Sequence, residues 1–129
     1  MKIKPLRILL VDDESPQRSA SKLRRLGGYN GDVDISTARS AEEAEIELRR
    51  ARFSDEGSYD LVLSDYRMPG GNGSSLLQRM PFIDPCVDFA GLGGWDREQT
   101  DVPVFYAHEE AVGYINRKLE RRKAFAAVA

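Results

Sequence analysis

The stretch that decides the fold is RILLVDDE, Arg7–Glu14. Branched apolar residues run from Ile8 to Val11 and stop against Asp12, Asp13 and Glu14. A short apolar run without polar alternation suits a strand buried on both faces. A second run of the same kind, YDLVLS at Tyr59–Ser64, is stopped by Asp65. Between the two, Ser15-Pro16 reads as an N-cap with proline at the first helical position, and Gly27-Gly28 as the stop. Ala20, Leu23 and Leu26 then line the buried side of that helix. Val33, Ile35 and Thr37 alternate as a strand. Ser40 and Glu43 have the spacing of a capping box, and Ala44, Leu48 and Ala51 follow at helical intervals. Past Asp65, Gly70–Gly73 forms a loop and Ser74–Met80 a short helix.

Strands and helices therefore alternate, with connections too long for hairpins. That order predicts one α/β domain, a doubly wound parallel sheet covered on both faces. In such sheets ligands bind beyond the carboxyl ends of the strands, where the winding reverses. Both buried strands run straight into acid at that end.

Composition narrows the function. Apolar residues at 41% and charged residues at 31% fit a globular chain, and 129 residues allow a core without metal or disulfide staples. Nineteen Lys and Arg against 21 Asp and Glu leave a net charge of −2, which argues against direct nucleic-acid binding. A single cysteine, Cys86, excludes an internal disulfide framework and a multi-cysteine zinc site. No apolar run reaches the ~18 residues of a membrane span, so the expectation is a cytoplasmic protein.

Beyond Met80 two registers are open for the last strands. In the first, Val102–Ala107 is the fourth strand and Gly113–Asn116 the fifth, with Arg117 at its end. In the second, favoured because the first leaves too few residues for a crossover helix, Cys86–Ala90 is the fourth and Val102–Ala107 the fifth. Glu109–Ala126 then closes the chain as an amphipathic helix with Val112, Ile115, Leu119 and Arg122 on one face. The region of the fourth helix is atypical or shortened in this register.

Asp12 and Asp13 follow one central strand and Asp65 follows another. Neighbouring strands lie about 4.8 Å apart, so the three carboxylates meet at one end of the sheet. Two carboxylates ~4 Å apart repel by about 4 kcal/mol at an effective dielectric of 20. Such a cluster calls for a proton, a basic partner or a cation, and Mg2+ is the natural occupant because it takes oxygen ligands and leaves positions for water and phosphate.

With RILLVDDE at Arg7–Glu14, Ser40-Ala41-Glu42-Glu43-Ala44, and LVLSD-Y-R-MPGGNG across Leu61–Gly73, the chain resembles the receiver domain of two-component response regulators over its first eighty or so residues. The resemblance implies a flavodoxin-like five-stranded sheet spanning residues 1–129 as one receiver-like domain with no separate output domain. It implies that Asp65 is the phosphoacceptor. It also implies Mg2+ held by Asp12, Asp13, Asp65 and the Arg67 backbone carbonyl, with Met68-Pro69 setting the turn behind the acceptor. Partners are implied by the same likeness: a sensor histidine kinase or histidine phosphotransfer protein, a downstream protein target, and a second copy in a homodimer. Function is expected to be phosphorelay signalling rather than enzymatic turnover. The alternative is a pseudo-receiver, an interaction module not switched by phosphorylation in the usual way. An aspartate-nucleophile phosphohydrolase is disfavoured, because its Asp-x-Asp pattern would need an acid pair other than the adjacent Asp12-Asp13.

The second half departs from the family. Receivers carry Ser or Thr at the end of the fourth strand and Lys at the end of the fifth. Here the hydroxyl position falls on Ala90 in the favoured register, or on Ala107 or His108 in the other, and no lysine follows. His108 is expected at a loop or helix start, and Cys86 as a packed small hydrophobe. Trp95 is open between packing and partner contact. Arg117, Lys118, Arg121, Arg122 and Lys123 are expected to form the solvated face of the last helix.

Overall fold

The computed structural model describes residues 4–68 and 71–128. Five parallel strands, β1 (Leu6–Val11), β2 (Val33–Ala38), β3 (Leu61–Ser64), β4 (Asp88–Leu92) and β5 (Val104–Phe105), form one sheet in the order β2-β1-β3-β4-β5. Helices α1 (Pro16–Gly27) and α4 (His108–Val128) cover one face, and α2 (Ala41–Arg52) and α3 (Gly73–Ile83) the other. This is the flavodoxin-like receiver fold.

The central strands β1 and β3 are mostly apolar because both faces are dry. Ile8, Leu9, Leu10 and Val11 are fully buried, alternating between the two cores. Each stabilises the fold by roughly 1.5–3 kcal/mol relative to exposure. Arg7, the charged residue of β1, lies nearly buried at the opposite end of the strand, its guanidinium 4.4 Å over the Tyr59 ring.

Helix starts obey the expected chemistry in part. Ser40 Oγ accepts from Glu43 N at 3.0 Å, and Ala44, Leu48 and Ala51 are buried as their spacing requires. Ser15 precedes α1, but its side chain makes no capping bond, so proline at the first position is the stronger device there. Leu26, expected inside, is 40% exposed in the last turn of α1. The short helix expected at Ser74–Met80 runs on to Ile83, with Pro81 inside it.

Of the two registers the second is the one adopted, with its fourth strand displaced. The expected span is Cys86–Ala90, and the strand is Asp88–Leu92. Asp84 is the reason: its carboxylate accepts from Cys86 N at 3.2 Å and its carbonyl from Val87 N at 3.4 Å, holding those residues in a turn. Cys86 is consequently exposed instead of packed. Gly113–Asn116 is helix, inside α4, which removes the first register. The crossover from β4 to β5 contains only a 3-10 turn, Arg97–Gln99, so the expected shortening is real.

The last helix is not simply solvated on its basic side. Lys118 pairs with Asp88, Arg122 with Asp60 at 2.9 Å, and Lys123 with Asp32 at 3.8 Å. These pairs tie α4 to the amino-terminal ends of the sheet.

Candidate functional site

β1 and β3 are neighbours, and the chain winds away from them in opposite directions. Backbone bonds carry the ladder one residue past each strand: Asp12 N donates to Ala38 O at 3.0 Å and Asp65 N to Val11 O at 2.9 Å. The acids are thus delivered to the switch point by the sheet itself. Carboxylate oxygens of Asp12, Asp13 and Asp65 lie within 4.8 Å of one another, each side chain partly exposed. An all-oxygen donor set of three carboxylates, open to solvent on one side, fits Mg2+, which keeps several waters.

The electrostatics agree with that fit. The Asp65 carboxyl is pushed up to about 6, first by burial and then by the charges of Asp12, Asp13 and Glu14, against the opposing hydrogen bond from Tyr66 N. Asp12 Oδ1 accepts from Glu14 N at 2.9 Å and Asp65 Oδ1 from Tyr66 N at 2.8 Å, so both side chains are oriented by the backbone just beyond them.

The loop after Asp65 is closed by Gly73 N donating to Tyr66 O at 2.7 Å. Arg67 stands exposed on it, two residues past Asp65, and Met68 is buried beneath. Pro69, expected with Met68 to set the turn, and Gly70, expected to begin the loop, lie outside the described residues. Asn72 caps α3, its side chain accepting from Ser75 N at 2.9 Å.

Beside Asp65 is a cavity of about 140 Å3 lined by Asp12, Asp65, Ser19, Leu92, Tyr106 and His108. The pairing of Ser64 with Gly91 puts Leu92, not Ala90, level with Asp65. The expected hydroxyl position is therefore Leu92, and it still lacks a hydroxyl. His108 begins α4, and its Nε2 lies 2.7 Å from Ser19 Oγ. Burial, and next the charge of Lys22, push the imidazole below its ordinary range.

Trp95 is the residue that sequence reasoning left unassigned. It is buried, and its Nε1 donates to Ser64 O at 2.7 Å, one residue before Asp65. Its ring meets Tyr66 edge-on at 5.1 Å and Phe89 at 5.7 Å, and its carbonyl accepts from Tyr106 Oη at 2.8 Å. Two glycines make the space: a Cβ on Gly91 would lie 2.5 Å from the indole Cδ1, and one on Gly73 2.5 Å from Cζ2. Gly93 and Gly94, both at positive φ, turn the chain so that Trp95 folds back over the sheet. A tryptophan just after glycines is the one signal in the sequence that could have pointed here.

No protein-family sequence model matches the chain, and no curated protein matches it in sequence. Solved structures do match in fold. A CheY-like response regulator receiver domain protein from Methanospirillum hungatei is similar at TM-score 0.70 and 18% identity, covering 93% of this chain and 98% of that one. The signal receiver domain of an HD domain-containing protein from Pseudomonas fluorescens is similar at 0.69 and 20%, covering 98% and 96%. The response regulator protein TrrA from Thermotoga maritima, in complex with Mg2+-BeF, is similar at 0.66 and 25%, covering 88% and 97%. The fold is that of response regulator receiver domains.

Proposed function

We propose that the chain is a response regulator receiver that accepts a phosphoryl group on Asp65. The observation that carries this reading is the meeting of Asp12, Asp13 and Asp65 at the switch point of a receiver fold. Asp12, Asp13 and Asp65 would hold Mg2+, together with the Arg67 backbone carbonyl. When bound, the ion supplies charge neutralisation for the phosphoryl oxygens. Asp65 supplies the nucleophile: a carboxylate oxygen forms a bond to phosphorus as the donor's bond to phosphorus breaks, leaving an acyl phosphate. The donor's leaving group takes up the electron pair and a proton. Tyr66 N orients the carboxylate, and the cavity lined by Ser19, Tyr106 and His108 has room beside it.

This chemistry names the partners: a histidine kinase or histidine phosphotransfer protein as donor, and a protein target as reader. A cytoplasmic location and the absence of catalytic turnover belong to the same reading. No helix among the described residues is long and apolar enough to cross a membrane.

The pseudo-receiver reading is favoured by one observation, Leu92 standing level with Asp65 where a switch hydroxyl would be. Intact-mass spectrometry after incubation with Mg2+ and acetyl phosphate separates the two. Phosphorylation adds about 80 Da, the mass of one phosphoryl group, which should appear in the wild type and vanish in Asp65→Asn. A wild type that stays unmodified favours the pseudo-receiver. An Asp65→Asn variant that still gains the mass removes Asp65 as the acceptor.

A further inference from the structure

The connection from β4 to β5 leaves a groove of about 920 Å3 between α3 and the segment Gly94–Val102. It exists because that crossover is a single 3-10 turn where a packed helix would otherwise lie. Tyr66, Trp95, Leu77 and Val102 give it an aromatic and apolar lining. Asp96, Glu98 and Asp101, all exposed, supply its charge, and no lysine or arginine lines it.

Arg97 stands among these acids but is turned away. Its guanidinium donates to Val104 O at 2.8 Å, pairs with Glu110 at 3.3 Å and lies 4.5 Å over the Tyr106 ring. Among the described residues none of the three carboxylates has an ion-pair partner. The groove is therefore acidic without internal compensation, on a chain whose net charge is only −2.

We propose that this groove docks a basic segment of a partner protein, one that seats an apolar side chain on Tyr66 and Trp95 with lysine or arginine to either side. Aromatic anchors under an uncompensated charged wall are the arrangement that gives both affinity and choice of partner. The groove adjoins the acidic site through two of its lining residues. Tyr66 lines it while its N–H donates to Asp65 Oδ1 at 2.8 Å. Gly94, on the other wall, lies where a Cβ would be 3.5 Å from the same oxygen. A group on Asp65 competes for the Tyr66 hydrogen bond, so docking and the state of Asp65 are coupled in both directions. That coupling rests on the phosphoacceptor reading, whereas the docking does not.

The probe is the synthetic peptide Lys-Arg-Leu-Lys-Arg, followed by the indole N–H resonance and fluorescence of Trp95, the sole tryptophan. The peptide should shift Trp95, Tyr66, Leu77 and Thr100, and a Glu-Asp-Leu-Asp-Glu peptide should not. Asp96→Asn, Glu98→Gln and Asp101→Asn together should weaken binding about tenfold, as three exposed ion pairs allow. Asparagine at 96 keeps the bond that Asp96 Oδ1 accepts from Glu98 N, so the turn survives. Equal affinity of the triple variant, or shifts confined to α1 and α2, overturns the proposal. So does self-association through the groove that excludes the peptide, since the occupant is then a second copy.

Adding Mg2+ and beryllofluoride should change the peptide affinity about fivefold, a typical coupling. Asp65→Asn should keep the binding and lose that change. A wild type that binds the peptide but not beryllofluoride defeats the phosphoacceptor reading and leaves the docking standing. Beryllofluoride binding with unchanged peptide affinity overturns the coupling.

Discussion

The Asp65 carboxyl is pushed up to about 6 because it is half-buried beside other acids. Unfolded, the same group titrates near an ordinary aspartate. The folded state therefore binds the extra proton, and this group's contribution to stability is full below about 3.8 and lost as pH rises through about 6. In divalent-free buffer, Asp65→Asn should gain stability over wild type between pH 5 and pH 7, read from urea midpoints at each pH. A gap that stays constant across that range would show that Asp65 is not strained. Trp95 gives a second test at this scale. Phenylalanine keeps an aromatic ring in the slot but removes the donor to the buried Ser64 carbonyl, so Trp95→Phe should cost about 1–3 kcal/mol. The acids were legible in the sequence because each ends an apolar run, and a strand end is a geometric address. Trp95 was not, since nothing local says which way a chain turns after two glycines.

At the scale of elements, the first three strands and two helices could be read because each has its own punctuation: Pro16, the Ser40–Glu43 cap, the apolar runs. The fourth strand slipped by two residues because a tertiary choice set its start. Asp84 captures the Cys86 and Val87 amides, and no periodicity reports that. The exposed Cys86 left by this turn should react with a water-soluble thiol reagent in the native protein. A requirement for denaturant would contradict the turn. Helix α3 begins on the Asn72 cap, so Asn72→Ala should lower stability by about 1 kcal/mol while Asn72→Asp restores most of it. Its far side is tied to α2 through Arg79, whose Nη2 donates to Glu45 Oε2 at 2.8 Å. Arg79 first, and Arg49 after it, hold the Glu45 carboxyl down to about 2, so the contact persists until pH falls well below the ordinary range.

For the whole molecule, three acids at one sheet end are a local repulsion that every other part of the fold must hold together. A cation bound there relieves it and stabilises by mass action, about 2.7 kcal/mol at a hundredfold excess over its dissociation constant. For a domain of this size that is a rise in melting temperature of roughly 10 °C. Asp13→Asn should remove most of the rise. An unchanged wild-type melting point under saturating Mg2+ would falsify the site. The sheet order and the meeting of the acids could be reasoned from alternating elements and short connections. The shortened crossover could be read as well, but the groove it leaves could not, because its lining depends on how the chain folds back after Gly93 and Gly94.

The fit between Trp95 and the two glycines beneath it also restricts how this sequence can change. A side chain at Gly91 alone collides with the indole, and losing Trp95 alone leaves a void, so either step by itself is unfavourable. Taken together they are compatible, since the new side chain enters the space the ring vacates. Gly91→Ser and Trp95→Ala should therefore be less damaging in combination than the sum of the two, by more than about 1 kcal/mol in a double-mutant cycle. Additivity within about 0.5 kcal/mol would mean the slot is looser than its distances say. Any path that places a side chain at position 91 must first give up the tryptophan. Position 95 thus acts as a gate on mutational history, and the glycine at 91 and the tryptophan are epistatically locked to one another.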